Sequence, residues 1–430
     1  MKKYQLISLG CPKNLTDAEE LAWHLDSLGY ALSSSGNPDI AVINTCAFLK
    51  SAVKESEGVI EKYIALKKRG KVGKIIISGC LVEREREKLL EKYPEVDAIV
   101  GISSLSQIIN SIKKNESYIL PHSGRFQGGN RLRLTLPHSA YLKIADGCDN
   151  RCSYCTIPAI RGRLRSKPEA RIVSEAASLA RSGAVEISLI AQDTAVYGTD
   201  LYGRPALKNL LKKLSKMKGV KWLRLMYMYP DGIDRELLNL IKDSDNICHY
   251  LEMPLQHISD PVLKRMNRRS SEKEIRKKLE LIKKYVPDMA VRTTFIAGFP
   301  GETEKDFKKL LSFVKEAQFN NLAVFKYSRE KGTPAFDYPE QVNANLKAER
   351  YAGLLRAQSS VVDGMNSGLI GREMEILMDS PKTGRTYMDA PDIDGSVEVK
   401  GGDFKPGDFV KARITEALGY RRRAEAVTAG

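Results

Sequence analysis

In its N-terminal quarter the chain repeats one unit three times: a short apolar run, a cysteine, then a helical pattern. Lys3–Leu9 reads as a strand ending at Cys11. Thr16-Asp17-Ala18-Glu19 then has the form of a capping box, which predicts a helix opening there and stopping near Gly29. Asp39–Thr45 is the second strand, ends at Cys46 and leads into a helix from about Ser51. Lys74–Ser78 is the third, ends at Cys80 and leads into a charged helix, Glu83–Tyr93. Strands alternating with helices at this spacing predict a parallel sheet with right-handed crossovers.

A stretch of Pro, Gly, Ser, Asn and Arg around residues 121–136 reads as a linker. A longer βα series follows, with strands at Tyr141–Ala145, Val185–Ile190, Trp222–Met226, Tyr250–Met253, Val291–Ile296 and Leu322–Phe325. Six successive units predict a partial (β/α)6 barrel, open on one side, rather than the closed eight-unit form. After a helix from Asn343 to about Met365, short alternating runs (Glu373–Met378, Val397–Val399, Phe409–Ile414) between Gly, Pro and Asp turns predict a small antiparallel β-barrel. The expected fold class is therefore α/β with an OB-like appendage. The expected domains are 1–118, a linker over 119–134, a core over 135–365 and a terminal barrel over 366–430.

At 430 residues the chain is too long for one ordinary core. No apolar run approaches the roughly 20 residues of a membrane span, so no integral membrane segment is predicted. Lys2 and Lys3 before Tyr4–Leu9 and Cys11 loosely resemble a lipoprotein signal, but the six-residue apolar stretch is shorter than the roughly 7–15 such a signal needs. The expected compartment is cytoplasmic and reducing, which argues against disulfides among the seven cysteines and leaves ligation, catalysis or burial. A net charge of +16, from 69 Lys and Arg against 53 Asp and Glu, suits RNA or a ribonucleoprotein, or equally a basic surface kept for solubility.

Cys148-Asp-Asn-Arg-Cys152-Ser-Tyr-Cys155 is the strongest motif. Three thiolates on one tight loop suit three corners of a 4Fe-4S cluster, the fourth iron staying open for a small molecule. A structural zinc would need a fourth ligand, and none of the five histidines, at 24, 122, 138, 249 and 257, lies nearby in sequence. The loop also follows the first barrel strand, at the end where barrel enzymes keep their chemistry. Cys11, Cys46 and Cys80, 35 and 34 positions apart, form a dispersed triad. Scattered cysteines are ordinarily small buried hydrophobes. Here each ends a successive parallel strand, on the sheet edge where open α/β domains bind ligands, which points to a second three-cysteine cluster. Cys248 reads as core.

The C-x3-C-x2-C loop resembles the radical S-adenosylmethionine (SAM) signature, and two clusters before a small barrel resemble the radical-SAM methylthiotransferases. The resemblance runs nearly end to end. Within that family, Ser8-Leu9-Gly10-Cys11-Pro12-Lys13-Asn14 resembles the branch that modifies ribosomal protein S-twelve, whereas tRNA-modifying relatives typically carry Gln-Met-Asn after the cysteine. Asn44-Thr45-Cys46-Ala47-Phe48, Asp146-Gly147-Cys148-Asp149, Ile157-Pro158 with Arg161 to Ser166, Pro254-Leu255-Gln256-His257 and Gly298-Phe299-Pro300-Gly301-Glu302-Thr303 agree with the same branch.

The resemblance implies two 4Fe-4S clusters and SAM, which serves as both radical source and methyl donor. The implied product is an aspartate carrying SCH3 on its β-carbon. The C–H bond there is not acidic enough for a protein base, so the chemistry belongs to a cofactor. The cluster at Cys148, Cys152 and Cys155 is implied to generate the radical, and the one at Cys11, Cys46 and Cys80 to present the sulfur. Tyr154 matches the aromatic position placed near the adenine. Gln192, Asp193 and Thr194 stand where radical-SAM enzymes commonly carry Gly-Gly-Glu and are implied to meet the methionine amine. Gly298 and Gly301 would let the backbone approach the adenine. Those residues also read as a helix cap and a turn. Gln256 and His257 follow a barrel strand too, with a structural histidine the equal reading.

The terminal barrel resembles a TRAM domain, an RNA binder in general and implied to meet the protein substrate in this branch. Arg161, Arg163, Arg165 and Lys167 form one basic stretch, and Lys264, Arg265, Arg268 and Arg269 another. Either suits acidic protein or rRNA phosphates, or is a solvated face. Arg421-Arg422-Arg423 keeps an RNA contact open. The implied partners are ribosomal protein S-twelve, free or in the small subunit, rRNA, an electron donor and a sulfur source. Two other functions compete: a tRNA adenosine methylthiotransferase, and a non-catalytic Fe-S RNA-binding protein in which both triads are structural.

Overall fold

A computed structural model describes residues 2–119 and 130–427. The predicted linker lies largely outside the described residues. The chain divides into two compact units: Met1–Leu134 with Ala145–Arg151 and Cys155–Pro168, and Thr135–Ile144 with Cys152–Tyr154 and Glu169–Gly430.

The first unit is a parallel five-stranded sheet of β1 (Lys3–Ser8), β2 (Ala31–Leu32), β3 (Ile40–Thr45), β4 (Lys74–Gly79) and β5 (Ala98–Val100), in the order β2-β1-β3-β4-β5. Every residue of β3 is buried, as expected of a central strand covered on both faces. Ala41 and Ile43 pack with Ile75, Ile77 and Ile99 on one face. Ile40 and Val42 pack with Ile76, Tyr4, Leu21 and Leu25 on the other. The strand order reverses between β1 and β3, so the crevice at their carboxyl ends is where such sheets take ligands. A short ribbon of β7 (Ala145–Asp146) and β8 (Arg165–Ser166) also belongs to this unit; β6 (Ser139–Lys143) belongs to the second.

Two local expectations fail here. The first helix runs Pro12–Asp26 with Cys11 as its N-cap residue, not from Thr16. Proline at the first position needs no amide partner and fixes the helical φ, while the Thr16 hydroxyl turns back to the Lys13 carbonyl at 2.8 Å. The charged helix after Cys80 is two short ones, Cys80–Glu85 and Lys88–Lys92, because Arg86 adopts φ 51° between them.

The second unit holds six parallel strands, β6 (Ser139–Lys143), β9 (Glu186–Ile190), β10 (Trp222–Leu225), β11 (Ile247–Glu252), β12 (Ala290–Ala297) and β13 (Asn321–Lys326), each beside its chain neighbour in one open sheet. That is the partial barrel the βα series predicts. The helix Ala344–Ser367, capped by Asn343, follows. A closed barrel of β14 (Glu373–Met378), β15 (Thr383–Arg385), β16 (Ser396–Lys400), β17 (Phe409–Leu418) and β18 (Arg421–Ala426) ends the chain. Ile376, Met378, Val397, Val399, Ile414 and Ala424 fill it. No described helix is long and apolar enough to cross a membrane.

Candidate iron–sulfur sites

Cys11, Cys46 and Cys80 follow β1, β3 and β4, at carboxyl ends on both sides of the switch point. Asn14 knits these ends together. Its amide donates to the carbonyls of Leu9 at 2.6 Å and Thr45 at 3.1 Å, and its carbonyl oxygen lies 3.8 Å from Cys80 Sγ. Asn44 donates back to the Asn14 carbonyl at 2.6 Å. Ser56 Oγ fixes Cys46 through both its amide, at 3.1 Å, and its carbonyl, at 2.8 Å. Gly10 has φ 91°, and a Cβ there would sit 2.7 Å from Cys46 Cβ and 2.8 Å from its Sγ. The first strand end therefore presses directly on the second cysteine.

Burial pushes the Cys80 thiol up to about 12, with the Arg161 cation opposing and Cys11 and Cys46 adding to the rise. Burial also raises Cys46. Three thiols at neighbouring strand ends are the donor type that iron–sulfur clusters take, and a metal bound there must displace the protons that burial holds on Cys46 and Cys80. Among the described residues, no three His, Cys, Asp or Glu side chains already close around one point.

Cys148 and Cys155 belong to the first unit and Cys152 to the second. The Cys148 amide donates to the Gly162 carbonyl at 3.1 Å, and Asp149 Oδ1 accepts from the Leu164 amide at 3.2 Å. In the second unit, Arg268 lies 3.7 Å over the Tyr229 ring, donates to the Pro254 carbonyl at 2.6 Å and stands 3.8 Å from Cys152 Sγ. Tyr229 Oη is 4.0 Å from the same sulfur. Ser153 is anchored at 3.0 Å to the Met266 carbonyl and 2.8 Å to that of Arg265. Tyr154 packs edge-on to Phe299, centroids 6.4 Å apart, beside the cluster of Val262, Met266 and Tyr327.

The remaining predicted pocket residues have structural partners. Asp193 caps a short 3-10 turn through the Ala195 amide at 3.0 Å, and Thr194 Oγ1 donates to the Met226 carbonyl at 3.0 Å; Gln192 precedes them at the end of β9. Gly298 has φ 73° and leaves room for Lys347 Cγ, 2.4 Å from where a Cβ would be; Gly301 has φ 80° and leaves room for the Arg265 guanidinium, at 2.6 Å. Gln256 takes φ 70° and bridges to Phe295. His257 is fully buried and accepts from the Ser259 amide at 3.0 Å, with Glu302 at 3.5 Å. Cys248 lies in the core, as expected.

The basic stretches look different once folded. Arg161, Arg165 and Lys167 are buried, and only Arg163 of that group is open, its side chain 90% exposed. Arg422 is buried against Asp389, and Arg423 pairs with Glu398 and Glu416. Sequence reading missed Asn14 and Arg161 as site residues. Both sit inside motifs, Cys11 to Asn14 and Ile157 to Ser166, which were the available signal.

The described pattern of the Radical SAM superfamily matches residues 142–314, that of Uncharacterized protein family UPF0004 matches 3–101, and that of the TRAM domain matches 370–427. Solved structures of similar fold include the radical S-adenosylmethionine methyltransferase TsrM of Kitasatospora setae, with a TM-score of 0.57 at 15% identity over 78% of this chain and 77% of that one. Together with the full-length relatives, the Radical SAM match makes the chain a radical-SAM transferase. The chain is 50% identical over 430 residues, 99% of its length and all of the relative's, to the ribosomal protein uS12 methylthiotransferase RimO of Elusimicrobium minutum. It is 44% identical to that of Geobacter sulfurreducens, over 97% of both chains, and 42% identical to that of Clostridioides difficile, over 98% of both. The chain belongs to the RimO family of methylthiotransferases.

Proposed function

We propose that the protein attaches a methylthio group to the β-carbon of an aspartate in ribosomal protein uS12, in the cytoplasm. The reading is carried by Cys11, Cys46 and Cys80 standing at three strand ends around the switch point, in a chain that also has the Cys148–Cys155 loop. Cys148, Cys152 and Cys155 would hold the cluster that binds SAM, and Cys11, Cys46 and Cys80 a second 4Fe-4S cluster. When bound, the two supply one-electron SAM cleavage and the transferred sulfur. The chain's own part is to bind, orient and exclude side reactions. Asn14 and Ser56 hold the thiols of the first unit in place, Arg268 and Tyr229 crowd Cys152, and Tyr154 offers an apolar ring beside Phe299. The matched segments support three domains with boundaries near 118, 134 and 365. An electron donor, a sulfur source and contact with rRNA complete the reading.

The protein substrate is favoured over tRNA adenosine by the RimO relatives and by the fate of the terminal arginines, which are buried or ion-paired at positions 422 and 423. The test is anaerobic reconstitution with iron, sulfide, dithionite and SAM. 5′-Deoxyadenosine should form and should vanish in Cys152→Ala. Iron should fall by about half, not to zero, when Cys11, Cys46 and Cys80 are replaced. Absence of 5′-deoxyadenosine, or unchanged iron, overturns the reading.

A further inference from the structure

Arg161 is fully buried in the first unit, and neither cysteine pattern requires it. Its guanidinium is divided among four partners. Nη1 donates to both oxygens of Asp146, at 3.0 and 3.2 Å. Nη2 donates to Asp17 Oδ2 at 2.8 Å and lies 3.3 Å from Asn14 Oδ1 and 3.5 Å from Cys80 Sγ. Asp146 stands two residues before Cys148, Asp17 six after Cys11. The next residue, Gly162, accepts the Cys148 amide at 3.1 Å. Two consecutive residues thus fix the backbone at Cys148 and touch the sulfur of Cys80.

Burying a cation costs several kcal/mol unless its partners are well placed; Asp17 and Asp146 meet that need, and the contact with Cys80 goes beyond it. We propose that Arg161 is a positioning residue for sulfur transfer. It donates an N–H to the Cys80 sulfur, raises the reduction potential of the cluster held by Cys11, Cys46 and Cys80, and ties the Cys148 segment to it. The proposal rests on the reading that these three cysteines ligate a cluster. Hydrogen bonds to ligand sulfur stabilise the more negative reduced state, and partners of ligands tune a site as the ligands themselves do.

The experiment uses the full chain with Cys148, Cys152 and Cys155 replaced by Ala, so that only the second site takes iron. Iron and sulfide content and the midpoint potential by EPR-monitored titration are compared for Arg161, Arg161→Lys and Arg161→Met. The expected result is that Arg161 binds one cluster and that Arg161→Met moves its potential to more negative values, or loses iron with the circular dichroism of the fold retained. Arg161→Lys, which keeps the charge but not the fork, should shift less in the same direction. Should Arg161→Met fail to fold because Asp17 and Asp146 lose their cation, the Lys variant decides. Clusters of unchanged potential and spectrum in the folded variants would overturn the role of Arg161. No iron with Arg161 intact would instead overturn the cluster reading, and this inference with it.

Discussion

Arg385 Nη2 lies 2.8 Å from Glu186 Oε2, with both side chains buried. Glu186 also receives Arg224 Nε at 3.0 Å, and Arg385 holds Asp379 at 2.7 Å. The bond joins β9 of the open sheet to β15 of the terminal barrel, so the small barrel is fastened to the core by paired, desolvated charge.

Arg385→Met should therefore destabilise the folded chain by about 3–5 kcal/mol, because it takes from Glu186 one of its two arginines and leaves Asp379 with His138 alone. Burial would raise Glu186, but Arg385 and Arg224 outweigh it and hold the carboxyl below its usual range. A depressed folded pKa gives stability that is complete above the ordinary value, about 4.3, and is lost as pH falls through the folded one. Thermal unfolding across that window should show a shallower acid dependence in the variant than in the natural chain. An equal slope would contradict the pairing.

The terminal arginines should separate sharply. Arg422 Nη2 is 2.5 Å from Asp389 Oδ1 and both are buried, whereas Arg423 pairs at the surface with Glu398 and Glu416. Urea unfolding should place Arg422→Ala about 3–5 kcal/mol below the natural chain and Arg423→Ala within about 1 kcal/mol of it. The reverse order would return these residues to the role of an exposed basic tail.

Gly10 and Gly29 both take positive φ, 91° and 78°. An alanine at Gly29 meets open space and should cost only the backbone strain, roughly 1–2 kcal/mol. At Gly10 the added methyl runs into Cys46. Gly10→Ala should lose iron from the second site while Gly29→Ala keeps it, as measured by iron content after reconstitution. Equal iron in both would mean that the Gly10 turn does not position Cys46.

What was legible in the sequence was periodicity. Six barrel strands, the helix beginning near Asn343 and the three strand–cysteine junctions all follow from apolar spacing and turn residues. What escaped was settled by tertiary contact. Thr16 and Glu19 satisfy a capping pattern, yet Pro12 starts the helix earlier, and Glu19 instead binds the Leu134 amide at 2.8 Å. The helix after Cys80 breaks at Arg86, a residue with no intrinsic preference for left-handed backbone. A run of arginines looks the same in sequence whether it faces water, as Arg163 does, or is buried between carboxylates, as Arg161 is. Gly298 and Gly301 take positive φ, and Lys347 and Arg265 occupy the space a Cβ there would need, contacts that no local pattern in the sequence signals.

The most direct test of the account offers ribosomal protein uS12 and bulk tRNA together to the reconstituted enzyme with SAM, sulfide and dithionite, under anaerobic conditions. Mass spectrometry of peptides and nucleosides then looks for an added SCH2 unit. The account predicts the gain on one aspartyl peptide and none on adenosine, abolished by replacing either cysteine triad. A gain on adenosine with the peptide unchanged would contradict it.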